Sequence, residues 1–95
     1  MQITSLATVP VATTAGGTTL VTNDQMNAIT GAYAIAVNPS VDIVLVDNNA
    51  VGTVANSPLV CPASVPTIID HRFGTLKAIS TSGTATVKVA ILAGP

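Results

Sequence analysis

Acid–base chemistry in this chain would have to come from very few ionisable side chains. Such catalysis needs two groups whose surroundings drive their pKa values apart. The candidates are Asp24, Asp42, Asp47, Asp70 and His71. Charged and titratable groups adjoin only in the tripeptide Asp70-His71-Arg72, and neighbouring residues of a strand point to opposite faces. We interpret this tripeptide as a polar strand end. The sequence therefore predicts no catalytic residue and no enzyme.

Metal binding and nucleophilic chemistry depend on one cysteine and one histidine, Cys61 and His71. One of each does not complete a closed zinc site, although three copies of His71 around a threefold axis would be a hypothesis for one. Cys61 lies between Val60 and Pro62 with no base or second thiol beside it, so we expect a buried thiol without a disulfide. The sequence predicts no metal ion and no cofactor.

The balance of charge argues for assembly. Charged residues make up 7% of the 95 residues, glutamate is absent, and the net charge is −1, whereas ordinary soluble domains are about 25% charged. Surfaces with so little electrostatic repulsion tend to associate. Arg72, Lys77 and Lys88 are the only cationic side chains, too few for a phosphate-binding face, so nucleic acid is not an expected partner.

Neither a membrane-spanning helix nor an export signal is indicated by the sequence. The longest apolar runs, residues 32–37 and 43–46, fall far short of the roughly 20 residues that a membrane-spanning helix needs. Residues 1–17 lack the cationic start and unbroken apolar stretch of a secretory signal. We therefore expect no membrane partner and no export.

The fold class follows from the side chains that favour a pleated backbone. Val, Ile and Thr occur 13, 8 and 14 times, and turn residues recur between the β-prone runs. The sequence predicts one all-β domain over residues 1–95, a compact antiparallel β-sandwich or small barrel of six to seven short strands. Only Tyr33 and Phe73 are aromatic, so the core must be aliphatic.

The clearest predicted strand covers residues 84–92, where Ala85, Val87, Val89 and Ile91 alternate with polar or small residues. Thr81-Ser82-Gly83 predicts a hairpin turn from the preceding strand, residues 75–80. Residues 67–70 predict a brief strand. Three prolines within residues 56–66 predict an ordered loop there.

The middle of the chain contains a second turn signal. Residues 32–37 and 41–47 flank Asn38-Pro39-Ser40, which predicts a β-hairpin or a tight corner. Both faces of the strand at 41–47 are apolar, so we expect a loop or another subunit to cover its outer face. Asn23-Asp24 predicts the cap of one helical turn reaching Ile29. Residues 47–52 and 71–74 are predicted turns.

The first residues of the chain are the candidate contact segment. Residues 1–19 are interpreted as an N-terminal arm and loop, in which residues 2–11 are β-prone, Pro10 suits an edge strand, and Gly16-Gly17 follows. A terminal β-prone segment is suited to adding a strand to a neighbour. The candidate assembly contacts are Ile3, Leu6, Val9 and Val11. Deletion of residues 2–11 is then expected to abolish binding to the partner.

Residues 32–92 also resemble a protein family. The resemblance lies in residues 36–40 (AVNPS), 57–60 (SPLV) and 76–85 (LKAISTSGTA). These turn-and-strand motifs are similar to those of small β-rich virion proteins of tailed bacteriophages, which serve as capsid decoration (cement) proteins or as head and tail accessory subunits. The resemblance implies a structural role without catalytic residues.

What the resemblance implies can be stated as expectations. The chain is expected to be made in the host cytoplasm and to bind the outer capsid surface of the virion, where it bridges the seams between subunits. Its expected partners are itself, as a trimer or next a dimer, and the major capsid protein or another virion protein. A tail, collar or fibre accessory subunit is the alternative. A carbohydrate-binding module is a third reading, which two aromatic residues support weakly.

Overall fold

The computed structural model describes residues 1–46, 59–70 and 75–94, and this part of the chain folds as two antiparallel sheets packed face to face. The all-β sandwich predicted from the sequence is confirmed, and the described residues form nine strands rather than the six or seven expected. The elements in chain order are β1 (Gln2–Ser5), β2 (Val9–Val11), β3 (Thr18–Val21), α1 (Asn23–Asn27), β4 (Ala32–Pro39), β5 (Ile43–Val46), β6 (Leu59–Cys61), β7 (Thr67–Asp70), β8 (Leu76–Ser80) and β9 (Ala85–Ala93).

Every strand pairing between the described residues is antiparallel. The first sheet has the order β1-β9-β4-β7, and β2 pairs with β9 on the same side as β1. The second sheet has the order β3-β8-β5-β6. The outermost strands are therefore β1 with β2, and β7, in the first sheet, and β3 and β6 in the second.

Strand β9 is the centre of the first sheet, and its alternation is as the sequence predicts. Ala85, Val87, Val89 and Ile91 are buried towards the second sheet, whereas Thr86 and Lys88 are exposed. Antiparallel neighbours share a face, so the register assigns the faces of β1, β4 and β7 as well. The core between the sheets is aliphatic. Its fully buried members include Met26, Ile35, Ile43 and Ile91.

The outer face of β5 is covered within the chain. All four residues of β5 are buried, and Val44, Val46 and Ile79 form a small apolar cluster on the side of the second sheet that faces away from the core. Gly17 lies against this cluster, because a Cβ built on it would come within 2.9 Å of Val46 Cγ2. The sequence predicted that either a loop of the chain or another subunit covers this face. The structure supports cover by the chain itself.

Both predicted turns beside the long strands carry the chain from one sheet to the other. Residues 40–42 lead from β4 in the first sheet to β5 in the second, which is the predicted corner and not a hairpin. Residues 81–84 lead from β8 to β9, which lie in different sheets, so the hairpin predicted there is wrong. Gly83 does take the positive φ that this turn needs, +62°.

Four connections cross between the sheets at the same end of the sandwich, which we call the corner end. The register places the end of β2 and the end of β4 beside the start of β9, and the end of β8 beside the start of β5. The corner end thus contains the connections β2–β3, β4–β5, β6–β7 and β8–β9.

The predicted helical turn is present as α1, with a different cap. Thr22 is the N-cap: its Oγ1 accepts from the Gln25 N–H at 3.1 Å, and the Gln25 side chain accepts from the Thr22 N–H at 2.8 Å. This is a capping box, which satisfies backbone donors at the start of a helix. Met26 anchors the turn in the core, with 2% of its surface exposed. No described helix is long and apolar enough to span a membrane.

The loop predicted over residues 56–66 contains a strand. Leu59–Cys61 forms β6, the outermost strand beside β5, with Ile43 opposite Cys61. Residues 67–70 form β7 with the bounds that the sequence predicts. The predicted turns at 47–52 and 71–74, with His71, Arg72 and Phe73, lie outside the described residues.

Candidate assembly surface

The predicted contact residues have very different surroundings. Ile3 is 62% exposed on the outer face of the first sheet, where it is paired with Leu92. Leu6 and Val9 are half-buried and pack against the core. Val11 is fully buried in that core, so it presents no side chain to a partner, which corrects its assignment as an assembly contact.

The first residues are part of the sandwich and not a free arm. β1 and β2 pair with β9 of the same chain. In the segment that separates β1 from β2, the Leu6 N–H donates to the Val89 carbonyl of β9 at 2.9 Å. The predicted edge strand is therefore confirmed, broken into two pieces. Deletion of residues 2–11 would remove one edge of the first sheet together with the buried Val11. A loss of binding after that deletion would therefore reflect disruption of the fold and would not identify a contact.

Exposed large apolar side chains are concentrated elsewhere, around β6 and β7. We define the β6–β7 side as these two strands with the segment that joins them, residues 59–70. It carries Leu59, Val60, Val65 and Ile68, whose exposed fractions are 56%, 57%, 49% and 67%. Most of the strongly exposed large apolar residues of the described chain therefore lie on one side of the sandwich.

The two sheets contribute neighbouring outer strands to this side. β6 ends the second sheet and β7 ends the first, and the connection between them, residues 62–66, is part of the corner end. The Ala63 N–H donates to Asp42 Oδ1 at 2.7 Å, and the Ser64 N–H donates to the Pro39 carbonyl at 2.8 Å. Hydrogen bonds to the end of β4 and to the β4–β5 connection therefore hold this segment and its exposed side chains in place.

The opposite side of the sandwich has interrupted edges. Residues 6–8 separate β1 from β2, and Pro10 has no N–H to offer a further strand. The register of β3 against β8 shifts between Thr19 and Val21. Prolines and bulges at outer strands oppose pairing with another chain. Neither feature occurs within β6 or β7.

A shallow groove of about 340 Å³ crosses the outer face of the first sheet. Ala36 and Ala90 are paired neighbours there and help to form its floor, and Ser5, Pro66 and Lys88 contribute to its lining. Small side chains at the centre of the sheet thus leave an apolar depression between the β1 edge and the β7 edge.

Among the described residues, the side chains that could do chemistry do not gather into one site. Cys61 is buried as expected, and burial raises the pKa of its thiol, an effect that a hydrogen bond with the Thr67 side chain partly offsets. A protonated thiol is a poor nucleophile. Asp70 is exposed at the end of β7. Within residues 1–46, 59–70 and 75–94, no three His, Cys, Asp or Glu side chains approach closely enough to hold a metal ion.

The sequence did not predict strand β6, because three prolines favoured a loop there. A usable signal was present, namely the apolar pairs Leu59-Val60 and Ile68-Ile69 on either side of the loop. No protein-family model, curated protein or solved structure matches this chain.

Proposed function

We propose that this chain is a structural virion subunit, a capsid decoration protein that binds the outer capsid surface of a tailed bacteriophage. Its resemblance to small β-rich virion proteins supports the location, and the apolar β6–β7 side supports the mode of action. The observation that carries the proposal is that Leu59, Val60, Val65 and Ile68 are exposed together in a chain that is only 7% charged.

The physical reason lies in solvation. Large apolar side chains exposed to water are costly to a lone soluble subunit, and several of them on one side of a molecule mark a place where proteins meet. Burial against a neighbour gains roughly 25 cal/mol for each Å² of apolar area removed from water. Because the chain has few charges, the free-energy cost of desolvating charged groups when two surfaces join is small. A subunit of this kind stabilises a shell by adding buried area across its seams.

Rigidity supports the same role. The sandwich holds its exposed apolar residues on strands and on a connection that is hydrogen-bonded to the neighbouring turn. Preorganised side chains lose little conformational entropy on binding, so more of the gain from burial remains as affinity. The groove on the first sheet adds a second apolar area with which a particle surface could make contact.

The test is to locate the chain in purified virions. Mass spectrometry of intact particles is expected to detect it, and immunogold labelling is expected to decorate the whole head. Labelling confined to the tail or collar would favour the alternative role of an accessory subunit. Recovery of the chain only from the particle-free fraction of the lysate would refute a virion role.

A further inference from the structure

We propose that the β6–β7 side joins two copies of this chain about a twofold axis, with the outer edge of β7 in one copy beside that of its partner. The inference deepens the assembly role proposed above and rests on it, because it names which surface is used for self-association. The joint forms a dimer, one of the two oligomers that the sequence leaves open.

The choice of edge follows from the contrast between the two sides of the sandwich. The side of β2 and β3 has a proline and a shift of register, both of which oppose strand addition. β7 has a regular register with β4 from Thr67 to Asp70, and no other described strand pairs with it. Because β7 also carries the exposed Ile68, we take its outer edge as the place where a further strand extends the first sheet.

Symmetry fixes the alignment of the two strands. A twofold axis normal to the sheet makes the paired β7 strands antiparallel and places some residue opposite its own copy. With Ile68 in that position, two of the most exposed apolar side chains of the molecule meet on the same face. Thr67 then lies opposite Ile69 of the second copy, and the outer face of the first sheet continues across the joint.

Charge favours a second copy as the occupant. Asp70 is the only formally charged residue within residues 59–70. In the alignment centred on Ile68, each Asp70 lies opposite Pro66 of the other copy, so the two carboxylates are about 14 Å apart. That distance exceeds the screening length of about 8 Å at physiological salt, so like charges oppose the joint only weakly.

A joint of ordinary size would cover a modest share of the molecular surface. A stable dimer buries about 800 Å² on each partner, which is roughly one-sixth of the 5091 Å² that the chain exposes. The β6–β7 side spans the edges of both sheets in a molecule with extents of 37 × 26 × 21 Å. A side-by-side joint therefore extends the first sheet and also brings Leu59 and Val60 of the second sheet towards the partner.

Ile3 and Ile68 provide a matched pair of variants. Both are isoleucines on the outer face of the first sheet, they are 62% and 67% exposed, and they lie on opposite edges. Analytical ultracentrifugation of the purified chain is expected to show a dimer. Ile68→Lys is expected to raise the dimer dissociation constant about a hundredfold, since it removes two isoleucines from the joint. Ile3→Lys is expected to leave it unchanged.

A cysteine at the symmetric position tests the alignment itself. Residues opposite each other in antiparallel strands have Cα atoms about 4.5–5.5 Å apart, within the range of a disulfide. Mild oxidation, followed by alkylation of the remaining thiols, is expected to cross-link Ile68→Cys into a covalent dimer. Ile3→Cys and the unmodified chain, in which Cys61 is buried, are expected to remain uncross-linked.

The outcomes separate this joint from the proposed function. A monomer at high micromolar concentration, or equal loss of the dimer in both lysine variants, would overturn the joint. Unfolding curves that match the unmodified chain would show that Ile68→Lys still folds. A dimer that never occurs in virions would support the joint and refute the virion role. A monomer that binds virions would support the virion role and refute the joint.

Discussion

Asp42 and Thr81 join the two turns that carry the chain between the sheets. The Asp42 carbonyl accepts from the Thr81 N–H at 3.1 Å and from Thr81 Oγ1 at 2.8 Å. The Asp42 carboxylate accepts from the Ala63 N–H at 2.7 Å and so reaches a third connection. A single residue thus ties the β4–β5, β6–β7 and β8–β9 connections together and holds the exposed β6–β7 side in place.

Removal of the Asp42 carboxylate should loosen the β6–β7 connection without breaking the contact with Thr81. Asp42→Ala keeps the backbone carbonyl but leaves the Ala63 N–H without its protein acceptor. We expect a loss of about 1 kcal/mol in the free energy of unfolding, measured by urea denaturation. Asp42→Asn retains an acceptor oxygen and should cost less. Equal losses in the two variants would show that the hydrogen bond to Ala63 contributes nothing.

Gly17 and Gly83 should respond differently to alanine. Both have positive φ, +86° and +62°, which costs an L residue roughly 1–2 kcal/mol. A Cβ on Gly17 would also meet Val46 Cγ2 at 2.9 Å and the Ala78 carbonyl at 3.1 Å, whereas a Cβ on Gly83 meets nothing within 4 Å. We expect Gly17→Ala to lower the thermal midpoint clearly more than Gly83→Ala. The reverse order would contradict the packing of Gly17 over β5.

The N-terminal strands should differ in their importance for folding. All four residues of β1 are exposed, whereas Leu6, Val9 and Val11 pack on or in the core. Removal of residues 1–5 is therefore expected to leave a folded protein with dispersed amide signals in its NMR spectrum. Removal of residues 1–11 should unfold it, because burial of a single valine or leucine contributes roughly 1.5–3 kcal/mol. A folded chain without residues 1–11 would contradict the assignment of Val11 to the core.

Cys61 should resist thiol reagents and make stability depend on alkaline pH. Burial raises the folded-state pKa of the thiol above its ordinary value of 9.0. The stabilisation from the neutral thiol is therefore complete below about pH 9 and is lost as pH rises through the folded-state pKa. The difference in unfolding free energy between the unmodified chain and Cys61→Ala should shrink from pH 8 to pH 10.5. Rapid labelling of the native protein by a thiol reagent at pH 8 would show that the thiol is accessible.

The features predictable from the sequence were those set by neighbouring residues. The alternation of residues 84–92 identified β9 and its inward face, and the residues around Asn23 identified the helical turn. Sheet membership was not predictable in this way. Thr81-Ser82-Gly83 reverses the chain equally well in a hairpin and in a corner, and the choice depends on whether β8 pairs with β9 or with β5.

The surroundings of the candidate contact residues were not predictable for a similar reason. Ile3 and Val11 look equivalent in a β-prone terminal segment, yet the break at residues 6–8 leaves Ile3 on the outer face and Val11 in the core. The exposure of Ile68 is also a tertiary property, because it requires β7 to be the last strand of its sheet. Sequence patterns identify apolar positions, whereas the order of strands decides which of them remain at the surface.

The proposed assembly through the β6–β7 side can be observed in intact particles. The most direct measurement is a cryo-electron microscopy reconstruction of purified virions at a resolution that places the sandwich in density. We expect many copies on the outer capsid surface, with Leu59, Val60, Val65 and Ile68 buried against protein. Copies whose β6–β7 side faces solvent, or a capsid surface without this sandwich, would contradict it.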